Sequence, residues 1–559
     1  MRYVAFATDF DGTLAEGGAV GARAIEALEA LRKSDRALIM VTGRLLEDLQ
    51  NIFERIDLFD AVVAENGAVL FDPAKNERIV LGPSPPSELL RLLDSVGVPV
   101  ERGHVIVATR EPHEKAVLEA IRDLGLEMQV IFNKGAVMVL PSGINKASGL
   151  HAALERLKLS PHNLVGAGDG ENDHAFLGLC ECSAAPANAL DAVKQRVDIV
   201  LKQPNGEGVT ALATQIRDDD LAEVTLARHR IPFGKATDGS EVYFDPYLRG
   251  TLLVAGESGS GKSSAALGLV ERFVSQGYQT CIVDPEGDYE SFGDAIVLGD
   301  SAKGPTVEEI VDVLDQPYRS AIVNLLGVPI ADRPAFTDAL LPRLFSSRAR
   351  YGRPHWIVLD EAHHLFPRER RPDGLLPREL YGMLAITTAP SKLAKALLAT
   401  VSAVVAVGAD NETVIEAATG TDVRGKIQAN TKVEAVIWRS GASGVETLTE
   451  IFPPELERHR HRRKYAEGDL APTDSFYFQG PDGKLNLRAN NLTIFAQIAE
   501  GIDDETWLHH LHRGDYGRWF ANVIGDNDLA EAARVAEDHP EKSRESLLKA
   551  IRERYTEPG

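Results

Sequence analysis

Short apolar runs at 4–8, 37–41, 164–167, 251–255, 356–359 and 403–407 punctuate the chain. Each is too short for a helix and apolar on both alternating faces, the pattern of a parallel strand covered on both sides. Most end in a cluster of Asp, Gly, Thr or Ser, so any chemistry belongs at the carboxyl ends of strands. Helical spacing follows some of them, most clearly at 264–274. Between about 84 and 140 the pattern changes to an extended stretch at 105–109, a helical one at 114–124 and strand-like runs at 128–132 and 136–140. Past residue 469 an extended segment at 475–479 precedes helical spacing at 492–498 and 505–511. The charged stretch from Glu537 reads as a loose helix or frayed end. The pattern predicts an α/β chain in three regions: 1–222 with a small α/β cap at about 84–140, 223–468, and a mostly helical 469–559.

The first run delivers Asp9-Phe10-Asp11-Gly12-Thr13. Side chains alternate along a strand, so Asp9 and Asp11 face one cavity. Two carboxylates so close suppress one another's ionisation unless a divalent cation, here Mg²⁺, keeps both charged. Asp9 would attack phosphorus, and Asp11 would protonate the leaving oxygen and then activate water. Thr42-Gly43-Arg44 follows the second run and offers a hydroxyl and free amides to phosphoryl oxygens. Lys146 would add fixed positive charge. Gly168-Asp169-Gly170-Glu171-Asn172-Asp173 ends the third run and supplies Asp169 and Asp173 as hard oxygen ligands.

With these motifs in this order, residues 1–215 resemble the haloacid dehalogenase superfamily, in particular its Cof-like phosphatases, whose cap lies between the second and third motifs. Glu65-Asn66-Gly67-Ala68, Ala187-Asn188-Ala189 and Gly206-Glu207-Gly208-Val209 look like that family's secondary signatures. The resemblance implies a Rossmann-like domain with Asp9 as nucleophile, Asp11 as acid/base, Thr42 and Lys146 as phosphate binders, and Asp9, Asp11, Asp169 and Asp173 around the metal. The backbone carbonyl of Asp11 would be a further ligand. A small phosphorylated substrate is expected. Arg110, Glu111, His113 and Lys134 of the cap are candidates to read it, although solvated surface is the ordinary role of such residues.

The fourth run leads into Gly256-Glu257-Ser258-Gly259-Ser260-Gly261-Lys262-Ser263, a complete P-loop between a strand and a helix. Gly256, Gly259 and Gly261 let backbone amides wrap phosphates at the helix start, beside Ser264. Lys262 reaches the β and γ phosphates of ATP, and Ser263 binds Mg²⁺. The fifth run ends in Asp360-Glu361-Ala362-His363: Asp360 would hold the metal's water shell and Glu361 would polarise the attacking water. That string also suits a superfamily-two helicase, but no downstream Gln-x-x-Gly-Arg motif follows. Val283-Asp284-Pro285-Glu286-Gly287-Asp288-Tyr289 and Ile386-Thr387-Thr388-Ala389-Pro390-Ser391 make residues 228–440 resemble the HerA/FtsK ring ATPases. The resemblance implies a RecA-like domain, a hexameric homo-oligomer, and an arginine donated between subunits, for which Arg350, Arg353 and Arg378 are candidates of surface character. Many relatives carry Gln-Arg where this chain has Thr388-Ala389, which points to slow or switch-like hydrolysis. The small N-terminal barrel usual in HerA is replaced by the phosphatase region.

A formal charge of −23 works against broad nucleic-acid binding, which needs dense Lys and Arg, without excluding a basic pore. The clearest basic run is Arg458-His459-Arg460-His461-Arg462-Arg463-Lys464, most simply a solvated helix face. Three cysteines, Cys180, Cys182 and Cys281, give neither a disulfide framework nor a zinc site. No apolar stretch is long enough to span a membrane, and Met1 runs straight into a strand, so the expected location is cytoplasmic. Trp507, His509, His510, His512 and Trp519 are expected to be core rather than a metal site. Four functions compete: a phosphomonoesterase with an ATP-dependent module, a HerA-type nucleic-acid motor with an accessory phosphatase, a fused polynucleotide kinase and phosphatase, and a nucleotide-dependent scaffold. Intact phosphatase motifs and an acidic chain favour the first.

Overall fold

The computed structural model describes residues 1–289, 292–369, 375–377, 380–425, 433–442, 444–454, 470, 475–481, 483, 485–524 and 526–555. Arg378, the basic run at 458–464 and the expected boundary at 468 lie outside the described residues. Two compact units emerge, one of residues 1–286 and 294–454, the other of 287–293 and 455–559.

The first unit contains two large sheets. Among the described residues one has eight strands in the order Ile199–Val200, Cys182–Ala185, Leu164–Ala167, Ala5–Thr8, Ala37–Val41, Ala61–Ala64, Val69–Asp72, Glu77–Val80. Pairing is parallel from the first edge as far as Ala61–Ala64, then antiparallel. The central strands are buried on both faces, as their unbroken apolar runs require. Phe6, Leu28, Met40 and Leu212 pack on one face, and Ile39, Val63, Leu150 and Phe176 on the other.

A separate four-stranded antiparallel sheet, ordered Glu101–Arg102, Val107–Arg110, Ala136–Pro141, Met128–Asn133, forms the cap. Two helices cover it, Ser87–Ser95 and Glu114–Asp123. The first was not foreseen, although Leu89 and Leu93 lie one helical turn apart and are both fully buried.

The other large sheet has eleven described strands, running Glu241–Phe244, Ile231–Ala236, Val445–Ile451, Ala435–Arg439, Val401–Val407, Thr251–Ala255, Met383–Thr387, Trp356–Leu359, Thr280–Asp284, Ala321–Asn324, Ile296–Leu298. From Val401–Val407 onward it is parallel. The glycine-rich loop therefore leaves the same edge of the sheet as Asp284, Asp360 and Thr387.

The two sheets meet at their opposite edges. Asn163 precedes Leu164–Ala167, and His355 precedes Trp356–Leu359; His355 Nε2 and Asn163 Oδ1 are 3.0 Å apart. Arg353 donates to the carbonyls of Lys158 at 2.8 Å, Asp315 and Leu314. It is fully buried in this joint, which corrects its expected surface character and removes it as an intersubunit arginine; Arg350 is exposed. At the centre lies Glu181, fully buried, 3.2 Å from Arg2, 2.7 Å from His162 Nδ1 and accepting the Tyr278 hydroxyl at 3.1 Å. Burial alone would raise its pKa, but the His162 contact and the neighbouring cations lower it.

The second unit pairs the strands Phe476–Phe478 and Leu487–Ala489 and surrounds them with helices. Phe476, Phe495, Trp507, Tyr516 and Trp519 share its core. His510 accepts from the Gln479 amide at 3.1 Å and lies 2.8 Å from Asp515, a structural role. No metal-ligand cluster gathers there among the described residues. The charged stretch expected as a loose helix or frayed end is a regular helix, Pro540–Tyr555, because Leu547 and Ile551 sit one turn apart and are fully buried. Each such side chain contributes about 1.5–3 kcal/mol, enough to overcome the charged character of its neighbours.

Candidate functional site

The eight-stranded sheet brings the expected phosphatase residues together. Asp9, at the end of Ala5–Thr8, is buried, and its Oδ1 accepts from Lys146 Nζ at 2.5 Å. The same ammonium donates to Asp173. Lys146 opens the helix Lys146–Leu157, which Asn145 starts with a reciprocal capping box. Asp173 Oδ2 accepts the amides of Asp169 and Gly170, each at 2.8 Å, which fixes the metal-type loop on itself. Asp169 takes the Thr13 hydroxyl at 3.2 Å. Thr42 is buried at the end of the neighbouring strand, and its hydroxyl accepts the Arg44 amide at 3.2 Å.

Asp11, two residues past Asp9, is partly exposed, and its carboxylate is not among those clustered with Asp9, Asp169 and Asp173. Arg44 grips it with two bonds, 2.6 and 2.7 Å, a paired arrangement that fixes the carboxylate's orientation. This role for Arg44 was not foreseen. Asn188 explains one secondary signature, because its side chain donates to the Gly12 carbonyl at 2.7 Å and holds the turn behind the two aspartates. Gly12 has φ of 84°, and a Cβ there would lie 2.4 Å from Asp169 Oδ2, so the turn admits only glycine.

Of the four cap residues expected to read a substrate, the structure brings Lys134 to the site. It occupies the left-handed tip of the hairpin joining the last two cap strands, with φ of 48°. Its ammonium lies 2.6 Å from Asp169 Oδ2 and 3.3 Å from the Asp11 carbonyl. Arg110 is exposed and pairs in register with Ala136, beside that tip.

Electrostatics test whether a divalent metal fits. Carboxylate oxygens of Asp9, Asp169 and Asp173 lie within 4.8 Å of one another, all buried. Three carboxyl groups face two ammonium groups there, so ionising all three leaves an excess of negative charge. Burial, then the charge of Asp173, hold the Asp9 carboxyl well above the usual carboxylate range despite Lys146. Burial also raises Asp169, partly offset by Lys134. Burial works to lower the Lys146 pKa, yet Asp173 and Asp9 raise it overall, so the ammonium stays charged. A hard divalent cation among these oxygens would complete the charge balance and keep Asp9 ionised, and the donor set suits magnesium.

The second expected site lies on the eleven-stranded sheet. The loop of Gly256, Gly259 and Gly261 turns into the helix Lys262–Ser275, whose first turn holds Ser263 and Ser264. Gly259 and Gly261 have φ of 81° and 91°, and a Cβ on Gly256 would lie 2.2 Å from the Val407 carbonyl. Lys262 Nζ is 3.9 Å from Glu361, and Asp360 is fully buried beside it in sequence. Glu361 has φ of 39°, a left-handed conformation that aims its carboxylate back at the loop. His363 was not foreseen. Its Nδ1 lies 3.0 Å from the Thr387 hydroxyl and 3.3 Å from Glu361, and burial pushes its pKa down to about 4, so the ring is neutral. Thr387, the last residue of its strand, is thus the hydroxyl joined to Glu361, whereas the sequence drew attention to Thr388.

A Rossmann-like sheet, a capped aspartate pair at a strand end and a lysine bridging to the metal-type loop define a phosphatase-class site, and residues 6–96 and 102–212 match the haloacid dehalogenase-like hydrolases. The chain belongs to that family through this region. It is similar to a phosphoglycolate phosphatase of Methanothermobacter thermautotrophicus, 32% identical over 216 residues that make up 37% of this chain and 95% of the relative. A phosphoglycolate phosphatase of Methanopyrus kandleri is 28% identical over 228 residues, 38% of this chain and 96% of the relative. A haloacid dehalogenase-like hydrolase from Bacteroides thetaiotaomicron aligns over 38% of this chain and all of its own, with 18% identity and a TM-score of 0.35. Residues 231–319 match the central domain of the helicase HerA. No described helix is long and apolar enough to cross a membrane.

Proposed function

We propose that the protein is a magnesium-dependent phosphomonoesterase working through an aspartyl-phosphate on Asp9, joined to a RecA-like, ATP-binding and hydrolysing module of HerA type. The observation that carries the first half is the buried constellation of Asp9, Lys146, Asp169 and Asp173 beneath a cap. Asp9, Asp169, Asp173 and the Asp11 carbonyl would hold the metal, which when bound supplies positive charge to the nucleophile and the phosphoryl oxygens.

An Asp9 oxygen attacks phosphorus, the ester P–O bond breaks, and the Asp11 carboxyl gives its proton to the departing oxygen. Water then attacks the aspartyl-phosphate while Asp11 takes its proton, and inorganic phosphate leaves. Lys146 neutralises charge on Asp9 and the phosphoryl group, Thr42 donates its hydroxyl to a phosphoryl oxygen, and Arg44 orients Asp11. The cap excludes water and limits the leaving group to a small one, and Lys134 at its tip faces it. The names of the relatives favour a short phosphorylated acid such as phosphoglycolate.

In the second module Lys262 and the amides of the loop would cradle the ATP phosphates, Ser263 and Asp360 would hold the metal and its waters, and Glu361 would polarise the attacking water. The match to the HerA central domain keeps a second reading in view, a nucleic-acid motor with an accessory phosphatase. One assay separates them: steady-state phosphate release from phosphoglycolate, from an aryl phosphate and from ATP, with Mg²⁺ or with chelator, each with and without double-stranded DNA. The proposal expects Mg²⁺-dependent turnover of the phosphomonoesters that DNA does not alter. DNA-stimulated ATP hydrolysis with inert phosphomonoesters would favour the motor and overturn the proposal.

A further inference from the structure

We infer that Glu65 is a positioning residue that latches the cap over Asp9; its catalytic consequence rests on the phosphatase reading, its structural one does not. Glu65 follows the strand Ala61–Ala64 and is fully buried. Its carboxylate accepts three consecutive backbone N–H groups of the cap, from His104 at 2.9 Å, Val105 at 3.0 Å and Ile106 at 3.3 Å. These amides form the turn between the cap strands Glu101–Arg102 and Val107–Arg110, closed by the Gly103 amide on the Ile106 carbonyl at 2.9 Å. Converging amides make an anion-binding concavity, and here the anion belongs to the core domain. The turn fits so closely that a Cβ on Gly103 would lie 2.4 Å from Glu65 Oε2. The His104 ring takes no part, turning outward to Glu47 and Arg78. Ala68, Val105, Ile106, Met138 and Leu140 seal the contact with a small apolar cluster.

The backbone of the same turn reaches the active site. The Glu65 amide donates to the Arg44 carbonyl at 2.8 Å and the Asn66 amide to the Thr42 carbonyl at 3.0 Å. Asn66 Oδ1 accepts the Asn172 side chain at 2.9 Å, which ties in the loop of Asp169 and Asp173. Glu65, Asn66 and Gly67 have φ of 50°, 55° and 106°, three successive left-handed residues that the surrounding bonds must hold in place. One strained turn thus grips the cap with a side chain and positions the phosphate loop with its backbone. Opening the cap breaks three charge-assisted bonds but hydrates the freed carboxylate, so the latch is reversible.

Amide hydrogen exchange and steady-state kinetics on the full chain test it with two variants from opposite sides. Glu65→Gln turns one acceptor oxygen into a donor facing donors, and Gly103→Ala pushes the turn off the carboxylate without altering the core. In both, amides 104–106 should exchange at least about tenfold faster while those of Ala5–Thr8 and Leu164–Ala167 keep their rates. Turnover of an aryl phosphate should fall at least about tenfold in kcat. The double variant should be no worse than either single one, because both open the same latch. Unchanged exchange at 104–106, or faster exchange throughout the core strands, would overturn the latch. Freed amides with unaltered kcat would overturn the positioning role. A wild-type protein inert toward every phosphomonoester would sink the phosphatase reading, and the exchange data would still decide the latch.

Discussion

The two candidate sites are built in contrasting ways for the phosphate chemistry proposed for them. Around Asp9 the work is done by side chains gathered from four distant segments, and charge is the organising force: three buried carboxylates, Lys146 between two of them, and Lys134 let down from the cap. Around Gly256 most of the site is backbone in one continuous loop, with Lys262, Asp360 and Glu361 set at strand and helix ends behind it. A charge-built site depends on a partner cation and on a lid that excludes water. A backbone-built site depends on conformations that only glycine adopts.

The sharpest way to break this contrast is to disable one site at a time. Asp9→Asn should lower phosphomonoester turnover at least about a thousandfold and leave ATP hydrolysis within about twofold, while Lys262→Ala should do the reverse. If either change stops both activities in colorimetric phosphate assays, the two sites are not separate. Gly256→Ala should weaken ATP binding at least about tenfold by calorimetry, since its Cβ cannot fit against the Val407 carbonyl; wild-type affinity would show that the loop tolerates a side chain.

Glu181 tests whether the regions share one stability. Glu181→Gln should cost about 3–5 kcal/mol in denaturant melts, because Arg2 and His162 would lose a buried anion. Both sheets should lose stability together; loss confined to one half would separate them. Its folded pKa is lowered below the ordinary 4.5, so its contribution is complete above that value and fades as pH falls through the lowered one. The gap between wild type and variant should therefore hold above about pH 5 and close in more acid solution. The smallest expected effect is at His363→Ala, about tenfold in ATP turnover with little change in KM, which would mark a contact made through Glu361 and Thr387.

What the sequence made legible was whatever is local. Buried parallel strands are unbroken apolar runs, so Ala5–Thr8, Leu164–Ala167 and Thr251–Ala255 announced themselves together with the loops they carry. Asp9, Lys146 and Asp173 were recognisable one by one, and the sheet brings them together. Contacts between segments distant in the chain were not legible. Lys134 was one of four equal cap candidates until the hairpin placed it 35 residues from Asp169 in sequence and 2.6 Å away in space. Arg44 looked like part of a phosphate loop, and its grip on Asp11 depends on two neighbouring strands. Arg353 looked like surface because arginine usually is, and only the packing of the two sheets buries it. The helix Ser87–Ser95 was hidden by the prolines before it, and the regularity of Pro540–Tyr555 by its charges.

The joint between the sheets fixes where each site can look. Asn163 and His355 touch at the starts of strands whose far ends carry Asp169 and Asp360, so the two candidate sites lie at the edges away from this shared seam. On the proposed reading, fusion in one chain sets a strict one-to-one dose of two modules that are made, folded and degraded together.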